Sequence, residues 1–445
     1  MPTLTIKSLA PQTPAVLAAI PPSFAAAAAA VARYVVVAPG HIRWTREGQC
    51  TTCRAFGGDH YTATALVAGS YPAPEGLAGA MTGLVAEGPD LPTIPDVPTS
   101  EVHSLRIDTA AGCRMFRDAL QAVHLATATE VTRYALTGVR IRVLPDHVIE
   151  IVATDGRRLH RHRLRLVAST VDPVDLVIPG RSVDAILAML RGDAHSFSLR
   201  HWPVPGAFRA HVDATVAPGL RVDHWLHGKG IAGRFPGVDG VIPVDCASYG
   251  LTVHDVPAFR RTVKALAAEA KRRRSPDVAD DPAVLDAVFL VAEAAGVRLY
   301  AQLGREMDSW LPPLVPDSVA TPIIRGDASV PEMWVPPELP PRVPTPSKAT
   351  GNVCDPAALK MVKAAATNAK HARVMNALGT RAAWRDAERD YVVALDPSYL
   401  DDALASIPRG HGAIIDLRGG HVPVVVRPQS DGADAIAVVM PITYS

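Results

Sequence analysis

Apolar positions along this chain follow two rhythms, short runs of period two that predict strands and longer runs of period 3.6 that predict helices. "TLTIKS" at 3–8 reads as a strand, 13–31 as an alanine-rich helix, and 33–68 as two or three strands around the turns "APGH" and "FGGDH". A proline-rich stretch, "EGPDLPTIPDVPTS" at 87–100, interrupts the pattern as a linker does. Beyond it come a strand at "SLRID", a helix over 109–128, and strands at "ALTGVRIRVLP", "VIEIVATDG" and "RLHRHRLRL". "VDLVIPGRSVDAILAMLRG" then repeats strand followed by helix, and the same opening returns at 249–274 and 391–407. A βαβββ unit thus recurs at least four times, which predicts an α+β fold built from copies and not around a single cleft.

Within this pattern "IVATDGRRLH" at 151–160 is a hairpin. Ile151 and Val152 are β-prone, Asp155-Gly156 is a turn signal, and Arg158 to Leu166 alternates charged and apolar residues.

The length, 445 residues, suggests about three domains. With 48% hydrophobic and 20% charged residues the chain reads as soluble and globular. The alanine run at 25–37 follows Pro21-Pro22 and reads as a buried helix entering a strand, not a membrane anchor. "MPTLTIKSLAP" has no basic region leading into an apolar core, so a cytoplasmic protein without membrane association is expected. The net charge of +1 gives no global attraction to polyanions, and any nucleic-acid surface must be local.

Candidate chemistry is sparse. The five cysteines are too few and scattered for a disulfide framework; Cys50 and Cys53 form the only close pair, and even with His60 they read as strand residues, not zinc ligands. His160 and His162 share one strand face, but no carboxylate or third histidine lies close in sequence. GxSxG, Walker and HExxH signatures are lacking, so no enzyme, metal or cofactor is expected.

Basic helix faces are the stronger signal. At about 100° per residue, Arg260, Arg261, Lys264, Lys271 and Arg272 fall in an arc of roughly 120° opposite Phe259, Val263, Leu266, Ala267 and Ala270. Over 110–128, Arg114, Arg117, Gln121 and His124 oppose Met115, Phe116, Ala119 and Val123. Such faces suit non-specific, salt-sensitive contact with phosphates. Asp396, Asp401 and Asp402 make the helix at 396–407 acidic, so the pattern is not uniform.

"TRYALTGVRI", "VATDGRRL", "VIPGRSVDAILAMLRG", "GRFPGVDGVIP" and the terminal "AIAVVMPI" occur in the order and at the spacing of one family. On these motifs the chain resembles the bacterial DNA polymerase III β subunits, the sliding clamps, over about 101–243, 245–302 and 390–445. The resemblance implies the DNA clamp fold: three similar domains of two βαβββ halves per protomer, joined as a homodimeric ring, with antiparallel sheets outside and helices lining a hole around duplex DNA. It implies a non-catalytic processivity factor whose partners are the replicative polymerase and clamp loader subunits. They insert short linear peptides into a pocket between the middle and last domains. Carried over, the pocket comprises Leu136, Thr154, Gly156, Arg157, Arg158 and Leu159 from the strands around the hairpin. Pro243, Val438, Met440, Pro441 and Ile442 complete it. The implied DNA-facing residues are Arg114, Arg117, Arg260, Arg261, Lys264, Lys271 and Arg272.

The implied domains are 1–100, 101–244 and 245–445, with an insertion at about 305–389. Departures from the family are an Arg157 where relatives often carry histidine, a chain end "PITYS", a shortened first domain, and the proline-rich insertion. Within the insertion a helical segment groups Lys360, Lys363, Lys370 and Arg373 in roughly 140° of arc. The shortened first domain leaves an alternative, a clamp-like interaction protein of a phage or mobile element that binds clamp partners without encircling DNA.

Overall fold

The computed structural model describes residues 102–165, 168–171, 174–191, 193–203, 206–217, 220–243, 247–274, 285–303, 310–311, 313–336, 389–430 and 434–442, and four strands before residue 100. The predicted helix at 13–31, His60, and the cationic segment around Lys360 to Arg373 lie outside the described residues. The chain divides into two compact units, Met1–Pro236 and Gly237–Ser445.

In unit 1, β1 (Thr3–Thr5), β2 (Gly40–Trp44) and β3 (Cys50–Ala55) form one antiparallel sheet, which places Cys50 and Cys53 on a strand. β4 (Ala63–Ala68) joins a second sheet by pairing with β13 (Leu220–Lys229). The chain from residue 103 then runs β5 (His103–Ile107), α1 (Ala110–His124), β6 (Gly138–Leu144), β7 (Val148–Thr154), β8 (Arg158–Arg165) and β9 (Ala168–Val171). It repeats strand and helix as β10 (Asp175–Pro179) and α2 (Gly180–Met189), followed by β11 (Asp193–Trp202), β12 (Ala207–Ala217) and β13. The strand orders are β10-β6-β7-β8 and β4-β13-β12-β11-β5-β9, antiparallel throughout.

Unit 2 repeats the plan. It runs β14 (Tyr249–Val253), α3 (Val256–Arg273), β15 (Val288–Glu293), β16 (Gly296–Gln302), β17 (Trp310–Leu311), β18 (Leu314–Val315) and β19 (Ala320–Ile324). Then come β20 (Val392–Leu395), α4 (Pro397–Ala405), β21 (Ala413–Leu417), β22 (Val424–Pro428) and β23 (Asp434–Val439). β20-β15-β16 stands as β10-β6-β7 does in unit 1, and β23-β22-β21-β14-β19 as β13-β12-β11-β5-β9. Strands β17 to β19 fall inside the 305–389 stretch, yet β19 pairs along the whole of β14 and so occupies the place β9 holds in unit 1. The βαβββ periodicity read from the sequence is therefore the architecture of both units, an α+β fold of antiparallel sheets and paired helices.

Each unit closes on a main apolar core between its helices and sheets. In unit 1, Leu105, Ile107, Phe116, Leu120, Val123, Ile141, Ile151, Phe197 and Leu199 are fully buried, and Phe116 stacks on Phe197 with centroids 4.6 Å apart. In unit 2 the equivalent set includes Leu251, Phe259, Val263, Leu290, Leu299, Leu400 and Ile415. Each such side chain contributes about 1.5–3 kcal/mol on leaving water, which is why the apolar stripe and not intrinsic propensity fixes each helix. Thr109 caps α1 by accepting from the Gly112 amide at 3.0 Å, and Asp255 caps α3 by accepting from Ala258 at 2.8 Å. The helix predicted to reach residue 128 stops at His124, where the backbone turns toward a 3-10 segment at Val131–Leu136. Among the described residues no helix is long and apolar enough to cross a membrane.

Candidate peptide site and nucleic-acid interface

The β7–β8 hairpin forms as the turn signal predicts. Thr154 pairs with Leu159, and Gly156 has φ +86°, a left-handed conformation that only glycine adopts without strain. Asp155 Oδ1 accepts from the amides of Arg157 at 2.8 Å and Arg158 at 3.0 Å, closing an Asx turn. Thr154 Oγ1 accepts from the Gly156 amide at 3.1 Å and donates to the Arg158 carbonyl at 2.6 Å. A side chain the sequence reading passed over steadies the tip: Arg133, in the 3-10 segment, donates to the Asp155 carbonyl.

The residues implied for a peptide site are divided between the units, and each set is described on its own unit. On unit 1, Thr154 and Leu159 are buried, Leu136 and Arg158 are half-buried, and Gly156 and Arg157 are exposed. Tyr134, 48% exposed on the same 3-10 segment as Leu136, adds an aromatic surface that no periodicity marked. On unit 2, Val438 and Pro441 are buried, Pro243 and Ile442 are half-buried, and Met440 is exposed. β23 ends at Val439, and the Ile442 amide donates to the Ala394 carbonyl of β20 at 2.9 Å.

The basic helix faces are in part committed to carboxylates of the same unit. On α3, Phe259, Val263, Leu266 and Ala270 are buried as expected, with Ala267 half-buried. Of the opposite arc, Arg260 is committed: its Nε and Nη2 donate to Asp401 on α4 at 2.8 and 3.0 Å, and Lys264 Nζ lies 3.0 Å from the same carboxylate. Burial works to raise the Asp401 pKa, but hydrogen bonds from Arg260 and Lys264 outweigh it and hold the carboxyl below its ordinary value. Arg272 and Arg273 pair with Glu269, whose pKa these hydrogen bonds pull down to about 2. Arg261 and Lys271 stand exposed on the same helix.

On α1, Arg114 is exposed and Arg117 pairs with Asp118 at 2.8 Å. His124 reaches α2, with Nε2 3.1 Å from Asp184. Met115, placed with Phe116 in the apolar arc, is instead 49% exposed. The core side of α1 centres on Cys113, Phe116, Leu120 and Val123, and Met115 lies about 100° round from Phe116, outside that stripe. Asp184 and Asp401 are each the fifth residue of their helix, so each unit ties its two helices with a nitrogen-bearing side chain from the first and a carboxylate from the second. The acidity of the helix at 396–407 is in this way largely structural, since Asp396 caps α4 through the Ser398 and Tyr399 amides.

Among the described residues no cluster of three metal-ligating side chains occurs. His160 and His162 face the core side of β8, where His160 Nδ1 meets the Ala122 carbonyl at 2.9 Å. On the outward face of the same sheet, buried Glu150 on β7 is held between Arg142 on β6 and Arg163 on β8, directly opposite it in the ladders. Burial opposes its ionisation, and the two guanidiniums outweigh burial and lower its pKa.

Residues 112–216 match the family described as DNA polymerase III beta subunit, central domain. That stretch runs from α1 through most of β12. Among solved structures the chain is similar to the DNA polymerase III beta subunit of Thermotoga maritima, at 13% identity over 91% of this chain and 76% of that one, TM-score 0.50. It is similar to the beta subunit from the DNA polymerase of Streptococcus pyogenes at 11% identity, covering 94% and 80%, TM-score 0.51. A DNA polymerase III beta subunit from Eubacterium rectale matches at 9% identity, covering 94% and 80%, TM-score 0.50. No curated protein matches the chain. At these identities the structural likeness is one of fold: the chain has the fold of the sliding clamps, and its residues 112–216 belong to the central-domain family of the DNA polymerase III beta subunits.

Proposed function

We propose that this chain is a sliding clamp: a non-catalytic, cytoplasmic processivity factor that closes as a homodimeric ring around duplex DNA and tethers a replicative polymerase. The observation that carries the reading is the double occurrence of one β-α-β plan in the two units, in the strand order given above, together with the central-domain match. Duplex DNA is met by helix faces without base readout, through Arg114 on α1 and Arg261 and Lys271 on α3. Arg117, Arg260, Lys264 and Arg272 hold carboxylate partners and contribute less to such a contact. Short peptides of the polymerase and of a clamp loader are bound by the hairpin set around Gly156 and Arg157 and by the terminal set around Met440 and Ile442. Methionine and aliphatic side chains repack at low energy, which suits a site serving several partners.

The test combines solution mass with topology. Light scattering over a range of concentrations is expected to give a stable dimer, and the protein loaded on nicked circular DNA is expected to leave once the circle is cut to a linear form. A strict monomer that leaves circular and linear DNA alike refutes encirclement and favours the partner-binding alternative.

A further inference from the structure

Unit 2 holds a segment that the βαβββ plan does not require. Residues 331–336, Pro-Glu-Met-Trp-Val-Pro, follow β19 and lie against the face of the β20-β15-β16 sheet turned away from the helices. Met333 is 60% exposed and Val335 51%, but Trp334 between them is only 4% exposed. Its indole stacks on Phe289 at 6.2 Å and meets the Tyr300 ring edge-on at 5.0 Å. The backbone is fastened as well. Glu293, fully buried, accepts from the Trp334 amide at 3.1 Å, from the Tyr300 hydroxyl at 2.8 Å and from Arg298 Nε at 3.0 Å, while the Ala294 amide donates to the Pro331 carbonyl at 3.0 Å.

The same apolar cluster, formed by Ala287, Phe289, Val291, Tyr300, Trp334, Val392 and Ala394, is the one Ile442 packs against. Ile442 is thus fixed twice, by its amide on the Ala394 carbonyl and by its side chain on the bed that Trp334 fills.

We propose that Trp334 is a positioning and affinity-determining residue for peptide binding: it completes the surface on which Ile442 rests and so holds the terminal side of the peptide site. This rests on the reading that Met440 and Ile442 line that site. A displaceable plug fits the geometry poorly, because releasing Trp334 removes one of the three donors that hold the buried Glu293 carboxylate and uncovers the Phe289 and Tyr300 rings.

The experiment pairs two readouts on the full chain. Hydrogen exchange at the Ile442 amide is expected to accelerate at least about tenfold in Trp334→Ala and to recover in Trp334→Phe, with the Val424 to Val426 amides of β22 unchanged as a control for folding. Binding of a fluorescein-labelled peptide from a bacterial replicative polymerase is expected to weaken at least about tenfold in Trp334→Ala and to be restored by Trp334→Phe. Unchanged Ile442 exchange overturns the proposal whatever the peptide does, and tighter binding in Trp334→Ala overturns it in favour of a plug. If exchange accelerates while neither Trp334→Ala nor Met440→Ala alters peptide affinity, the peptide-site reading itself fails, and Trp334 is left as a determinant of tail order without a role in binding.

Discussion

Acidification from about pH 7 to about pH 5 is expected to destabilise unit 1 by about 2 kcal/mol through His160 alone. The ring is fully buried on the core side of β8. Its Nδ1 donates to the Ala122 carbonyl, and Nε2, buried, has no hydrogen-bond partner. Protonation would place a charge and a second N–H donor in a site that offers no acceptor. Burial is the main cause that pushes the pKa down to about 4; Arg158 and His162 add to it, while the Ala122 hydrogen bond and Asp155 oppose it. Because the folded value lies below the unfolded 6.5, the unfolded chain takes up the proton first. Stability is therefore whole above about pH 6.5, falls by about 1.4 kcal/mol per unit below it, and levels out near pH 4 at a total loss on the order of 3 kcal/mol. The assay is urea unfolding of unit 1, with exchange of the Ile151 and Val152 amides as the local probe, for the parent and His160→Gln at both pH values. Glutamine keeps a donor for Ala122 but cannot titrate, so its stability should lose about 2 kcal/mol of this pH dependence. Parallel curves for the two proteins would refute the reasoning. Glu150 does not confuse the result, because its contribution is lost only as pH falls through the ordinary carboxylate value of 4.5 toward its lowered folded one, and both proteins carry it.

Asp401→Asn is expected to lower the stability of unit 2 by about 1–3 kcal/mol, discounted for the partly exposed Arg260 and Lys264, while strengthening DNA binding by releasing both cations; an unchanged melting temperature would count against the tie. Gly138→Ala sets a Cβ 2.4 Å from the Ile178 carbonyl oxygen, so a loss of about 1–3 kcal/mol is expected in urea titration, and a neutral result would mean that β6 and β10 can part without penalty. Reversing Arg261 and Lys271 to glutamate should lower the slope of log affinity for duplex DNA against log salt by about 2, and an unaltered slope would place the DNA elsewhere. Met440→Ala should weaken peptide binding at least about tenfold in a fluorescence titration with the fold intact, and unchanged affinity would remove it from the site.

Much of this architecture was legible because its determinants are periodic. The stripes of α1 and α3 and the alternation through β6, β7 and β8 each bury one face, and burial dominates local folding. The Asp155-Gly156 turn was legible because few residues accept its geometry. What stayed hidden depends on single contacts between distant elements. Asp401 reads as a solvated acid until α4 is laid against α3, Arg133 has no period to betray it, and Met115 misled because its stripe is narrower than the arc assigned to it. The stretch containing Trp334 lies in the proline-rich insertion, whose prolines suppress both rhythms, and the buried Glu293 with the Phe289 and Tyr300 rings shows why it folds back on the sheet.

The pairing of β4 with β13 sets a boundary for dissecting the chain. β4 supplies hydrogen-bond partners along Val222 to His227, so a fragment beginning at residue 101 would leave that stretch of strand bare. Such a fragment would retain every residue of the central-domain match and still present a sticky border several residues long. Self-association of the isolated repeat would then report the missing neighbour and not the assembly of the intact protein, and a fragment that starts before residue 63 avoids the artefact.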